Sequence, residues 1–137
     1  MKQIFDRDYP VTSILLIITS LVFALMFLFY GFQYSSTEAL SYFGAVRGYT
    51  IQETPVEFWR VFAAIFIHIG LEHFVVNMLT LYFLGRQIEA IFGSWKFLIL
   101  YLMSGVMGNL FVVYFSPNSL AAGASTALFG LFASVVV

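Results

Sequence analysis

No cysteine occurs in the chain, so disulfides and thiol chemistry are excluded. Charge is almost as scarce. Asp, Glu, Lys and Arg make up 9% of the residues, against about 25% in a soluble domain. The few charges nearly cancel, at a net −1. There is no cluster of Lys and Arg, which excludes nucleic acid as a partner. Internal repeats and low-complexity tracts are also lacking.

Apolar residues fill the space, at 61% of the chain, and that balance belongs to a membrane protein. Val11 to Tyr30 runs 20 residues without a charge, the length a bilayer core requires. The run is too long for the apolar core of a signal peptide, and Tyr30-Gly31-Phe32 is a poor cleavage site, so it reads as a retained helix. Three more apolar segments follow. The expected organisation is an N-terminal segment at 1–10 and a membrane domain at 11–137. Helices are expected at about 11–30, 71–91, 96–115 and 121–137, with a long loop at 31–70. The last run is still apolar at Val137, with no charged anchor, so the sequence reads as the N-terminal part of a longer protein.

Lys2, Arg7, Arg86 and Lys96 fall on one side of this arrangement, and Arg47 and Arg60 on the other. The positive-inside rule then puts the N-terminus in the cytoplasm. The loop carries many apolar and aromatic residues and the pair Trp59-Arg60, which suit short helices lying in the outer interface. Phe92-Gly93-Ser94-Trp95 reads as a tight turn in which Gly93 ends one helix and Ser94 caps the next.

Polar side chains inside a membrane are costly and are functional candidates by default. His73 and Asn77 are four residues apart and share a helix face, and His68 lies five residues before His73. Both their helix and the last one run from outside to inside. This brings His73, Asn77 and Ser125 to a similar depth near the outer surface. A serine at a helix start sits beside unpaired N–H groups and the positive end of the helix dipole, which stabilise an oxyanion. Imidazole and amide donors could serve the same oxygen, and Gly123 allows close approach of backbone. The competing reading is packing. Gly123, Ala127, Gly130 and Ser134 form a small-residue face, expected to meet helices beyond this chain or a second copy. Ser104, Gly105, Gly108 and Asn109 read as packing in the third helix.

Two soluble-enzyme motifs are excluded. Gly-x-Ser-x-Gly fails because the fifth residue is Ala127 and no strand precedes it. An inverted zinc motif fails because His68 to Glu72-His73 has one residue too many, and no metal is expected.

These residues resemble the rhomboid family of intramembrane serine proteases. Trp59-Arg60 is similar to the family's Trp-Arg element in the first loop. "HIGLEHFVVN" matches the spacing in its second helix. "EAIFGSWKF", with Glu89, Gly93 and Lys96, resembles its Glu-x-x-x-Gly-x-x-Arg-Phe turn, with Lys96 in place of Arg. "GAST" resembles Gly-x-Ser-Gly, with Thr126 in place of the last glycine. The resemblance implies an all-α polytopic bundle of which four of six or more helices are present. It implies Ser125 as nucleophile and His73 and Asn77 as oxyanion donors, with Gly123 leaving room at the oxyanion loop. His68 would lie near the site without being the base. Trp59, Arg60, Glu89, Gly93 and Lys96 would be structural.

The family's base is a histidine on the sixth helix, beyond this sequence, so the 137 residues are expected to be inactive alone. The implied reaction needs no cofactor, and the implied partners are transmembrane protein substrates and the lipid bilayer. A bacterial plasma membrane is the implied location. A catalytically inactive relative that binds transmembrane segments is the alternative reading. A transporter fragment is disfavoured, because broken helices and inverted repeats are lacking.

Overall fold

The computed structural model describes residues 6–136. It is an all-α bundle. Helix α1, Pro10–Tyr30, begins with a proline where the missing N–H costs nothing. The first loop folds into short pieces: α2 (Thr37–Phe43), a two-residue strand β1 (Val46–Arg47), α3 (Gly48–Glu53), a 3-10 turn at Pro55–Trp59 and α4 (Arg60–Ala63). Ser36 caps α2 by accepting the Ala39 N–H at 3.2 Å. Helix α5, Leu71–Thr80, passes through a π-helical turn at Leu81–Gly85 into α6, Arg86–Phe92. Helix α7 is Ser94–Phe115. Strand β2, Leu120–Ala121, pairs antiparallel with β1, and α8 is Ser125–Val136.

Two helices, Pro10–Gln33 and Ser94–Phe115, are long and apolar enough to cross a bilayer. The segments Pro55–Phe66 and Leu71–Phe92 meet at a 73° bend and have the length and composition of a broken span or a re-entrant loop. The bend lies before Leu71, so the segment expected at 71–91 is continuous from Leu71 to Phe92. The expectation that broken helices are lacking is corrected by this bent pair. The fourth helix begins at Ser125 and not at 121. The Val46 and Arg47 backbone takes up the Leu120–Ala121 hydrogen bonds, and Gly123 at φ 114° leaves helical geometry.

Lipid is as apolar as leucine, so close packing and internal polar contacts hold such a bundle together. Burial here follows that logic. Leu28, Phe115 and Phe129 face outward, while Thr12, Thr19, His68, Asn77, Glu89 and Asn109 are inside. Asn109 Nδ2 donates to the Val61 carbonyl at 2.7 Å and ties α7 to α4. Ile65, Leu81, Phe97, Tyr101 and Leu131 form the central apolar cluster.

Helices α7 and α8 interlock through small residues. A Cβ on Gly108 would fall 2.5 Å from the Cβ of Thr126, and one on Gly130 would collide with Ser104. Ala127 is fully buried near Gly105. The small face of α8 is thus already occupied by α7 at Ala127 and Gly130, and does not wait for helices from elsewhere.

Glu89, 3% exposed, fastens α1 to the α6–α7 turn. Its carboxylate accepts from the N–H of Val11 (2.9 Å) and of Thr12 (2.8 Å), and from the hydroxyls of Thr12 and Ser94 (both 2.7 Å). Removing it would leave four donors unmatched, which explains why an acid is tolerated inside. Ser94 therefore does not cap α7; Gly93 occupies that position at φ 85° and the Ser94 hydroxyl turns to Glu89. Arg86 reaches Asp6 at 3.0 Å and stacks on Tyr9, so these two residues and α6 share one face of the bundle. Lys96 is exposed and has no ion pair among the described residues.

At the other end, the Arg60 guanidinium lies 4.6 Å over the Trp59 ring, pairs with Glu57 at 2.7 Å and donates to the Ser41 carbonyl. Trp59 in turn covers Gly44 at the end of α2. Trp59-Arg60 thereby binds the start of the loop to its end.

Candidate active site

The segment before α8 is held from one side. Gly123 N–H donates to the Ala64 carbonyl at 2.8 Å, and Ala124 N–H donates to His68 Nε2 at 3.3 Å. These bonds fix the chain just before Ser125, which opens α8 half-buried. Gly123 has to be glycine on two counts. Its φ of 114° is one that side chains rarely adopt, and a Cβ there would fall 2.5 Å from Cε1 of His73.

Helix α5 supplies the facing wall. Asn77, 6% exposed, lines a cavity of about 190 Å³ together with Ser125, Thr80, Leu128, Phe129 and Phe132. Its Nδ2 is buried and has no acceptor among the described residues. A buried donor without a partner costs about 1–3 kcal/mol. This one belongs to a side chain that borders the cavity shared with Ser125. His73, one turn earlier, is half-buried against Gly123.

The hydrogen-bond network assigns the histidine tautomers. A neutral imidazole has one lone pair and one N–H. His73 Nδ1 accepts from the Ile69 N–H at 3.3 Å, so Nε2 carries the hydrogen and is a donor. His68 is fully buried, with its ring centroid 5.1 Å from that of His73. Its Nε2 accepts from Ala124, so its hydrogen is on Nδ1, which is buried without a partner. Both histidines thus commit their single lone pair to a backbone amide. As placed, neither is free to take a proton from Ser125.

The structure therefore brings Ser125, Asn77, His73 and Gly123 together, with His68 behind the Gly123–Ala124 segment. Trp59 and Arg60 lie in the first loop, Glu89 in α6, Gly93 between α6 and α7, and Lys96 in the first turn of α7. Two participants were not apparent from sequence. The Ala64 carbonyl carries no side-chain signal, and the His68 bond to Ala124 joins residues 56 apart. Among the described residues, no group of three His, Asp or Glu could hold a metal ion.

Residues 55–137 match the family described as Rhomboid domain. The chain is 37% identical over 102 residues to "Rhomboid protease GluP" of Bacillus subtilis, covering 74% of this chain and 20% of that protein. It is 30% identical over 131 residues to "Putative rhomboid protease YdcA" of the same organism, covering 95% of this chain and 63% of that protein. It is also 32% identical over 101 residues to "Inactive RHOMBOID-like protein 8" of Arabidopsis thaliana, covering 74% and 28%. The chain spans less than two thirds of the length of each of these relatives. With a family match over more than half of its length and a membrane bundle to accommodate it, the chain belongs to the rhomboid family.

Proposed function

We propose that the protein carrying this chain is an intramembrane serine endopeptidase that cleaves transmembrane segments of other membrane proteins. The observation that supports it most is the unpaired Asn77 amide in the cavity that also contains Ser125. Ser125 Oγ attacks the scissile carbonyl carbon. The carbonyl oxygen becomes an oxyanion between Asn77 Nδ2, His73 Nε2–H and the Ser125 backbone N–H at the start of α8. One such donor is worth roughly a hundred- to thousandfold in rate. The attack leaves an acyl-serine ester and an amine. Water then hydrolyses the ester and restores the serine.

Serine is a weak nucleophile until a base takes its proton, and the same group must return that proton to the departing amine. His68 and His73 have committed their lone pairs, and the rhomboid resemblance implies that the base is a histidine on a later helix, outside these 137 residues. A transmembrane helix satisfies its own backbone hydrogen bonds and must unwind locally before it can be attacked.

The site faces the outer leaflet of a bacterial plasma membrane, with the N-terminus in the cytoplasm. Support comes from the excess of positive residues on the face shared by Arg7, Arg86 and Lys96 and from the two Bacillus relatives. A second reading, an inactive protein that holds transmembrane segments, is favoured by the likeness to the inactive Arabidopsis protein. Reaction of the intact protein with a fluorophosphonate separates the two. The protease reading expects a covalent adduct on Ser125. No adduct, or an adduct elsewhere, rejects it.

A further inference from the structure

A polar cavity lies away from Ser125, in the first loop. It has a volume of about 180 Å³ and is lined by Ser41, Ala45, Arg47, Tyr49, Thr50 and Arg60. Two guanidinium groups bordering so small a space would repel each other unless an anion sat between them. Arg60 is already neutralised and fixed by Glu57, the Ser41 carbonyl and the Trp59 ring. Arg47 is different. Among the described residues no carboxylate lies within 4.0 Å of it. Its Nη1 donates to the Tyr49 hydroxyl at 3.1 Å and its guanidinium lies 5.6 Å from the centre of the Tyr49 ring, but its buried Nε has no acceptor among the described residues. The cavity thus holds an uncompensated positive charge, a spare buried donor and hydroxyls on Ser41, Tyr49 and Thr50.

We propose that this cavity binds a phosphate group, and that in the membrane the group is the phosphodiester of a phospholipid. Phosphate oxygens accept from a guanidinium in charge-assisted pairs and from hydroxyls alongside. The surroundings select the lipid. Tyr42, Tyr49, Phe58, Trp59 and Phe62 are exposed around the loop, an aromatic belt at headgroup level. A mostly apolar cavity of about 480 Å³, between α3 and α7, begins at the adjoining Ile51 and Gln52 and could take part of an acyl chain.

The site also has a mechanical connection to the nucleophile. The Arg47 backbone pairs with Leu120, three residues before Gly123. A phosphate held by Arg47 thereby sets the depth of the Ser125 segment relative to the headgroups.

The test is thermal unfolding of the purified, delipidated intact protein in dodecyl maltoside. It is titrated separately with dihexanoyl-phosphatidylglycerol, with dihexanoylglycerol and with inorganic phosphate. Phosphatidylglycerol should raise Tm in a saturable manner and dihexanoylglycerol should not. Arg47→Gln should weaken phosphatidylglycerol binding by roughly tenfold or more, the loss of one charge-assisted contact. Arg47→Lys should keep most of it, and Tyr49→Phe should weaken it less than Arg47→Gln. Equal stabilisation by dihexanoylglycerol, or undiminished binding by Arg47→Gln, overturns the site. Stabilisation by inorganic phosphate as strong as that by phosphatidylglycerol overturns the lipid and leaves a free anion as the occupant.

Discussion

The imidazole of His73 rests on the Cα of Gly123, so closely that a methyl group at Gly123 would fall 2.5 Å from Cε1. One residue comes from the bent helix pair and the other from the segment before α8, and neither can move alone. Gly123→Ala should therefore act twice. It places a side chain at φ 114°, and it pushes His73 off the oxyanion position proposed for it. The expected cost in stability is about 1–3 kcal/mol. The cost in kcat should be roughly a hundredfold or more, the worth of a displaced oxyanion donor. Calorimetry and steady-state cleavage of the intact protein check both. A variant with normal kcat and Tm would show that this contact does not organise the site.

Asn77→Ala distinguishes packing from catalysis. A packing asparagine loses stability when truncated. Asn77 Nδ2 has no acceptor to lose, so Tm should stay within about 2 °C of the parent or rise. The rate should fall roughly a hundred- to thousandfold with KM little changed, because the donor acts mainly in the transition state. A clear fall in Tm with an unchanged rate would make Asn77 structural.

The helical bundle and the shared face of His73 and Asn77 were legible in the sequence, because both follow from helical spacing. The approach of Ser125 to that face does not, and rests on depth and resemblance. His73 and Asn77 share a face through their four-residue separation, and uncharged runs announce α1 and α7. The missed features depend on contacts between distant residues. Leu120 and Ala121 look like the start of an apolar helix, yet they pair with Val46 and Arg47. Thr126 looks like a departure from a small residue, yet Gly108 on α7 provides the room. Ser94 has the composition of a cap, but the Glu89 carboxylate is a better partner for its hydroxyl. No local pattern encodes such pairings; each arises when two remote segments compete for the same donors or the same volume.

His68 is a positioning residue in this account. His68→Ala leaves the buried Ala124 N–H without an acceptor, at about 1–3 kcal/mol. Tm and kcat should both fall, and His68→Gln should recover part of each because its carbonyl can accept. The pH at which the rate is half-maximal should not move in His68→Gln, since His68 does not take the serine proton. A shifted or abolished pH dependence would identify His68 as the base.

The central claim is that the hydroxyl of Ser125 is the nucleophile. The most direct measurement is cleavage of a transmembrane substrate in proteoliposomes by the intact protein and by its Ser125→Ala variant. The two should have matched Tm values and substrate affinity. The parent should turn over, and the variant should show no cleavage above background. Turnover by Ser125→Ala at the rate of the parent would contradict the account.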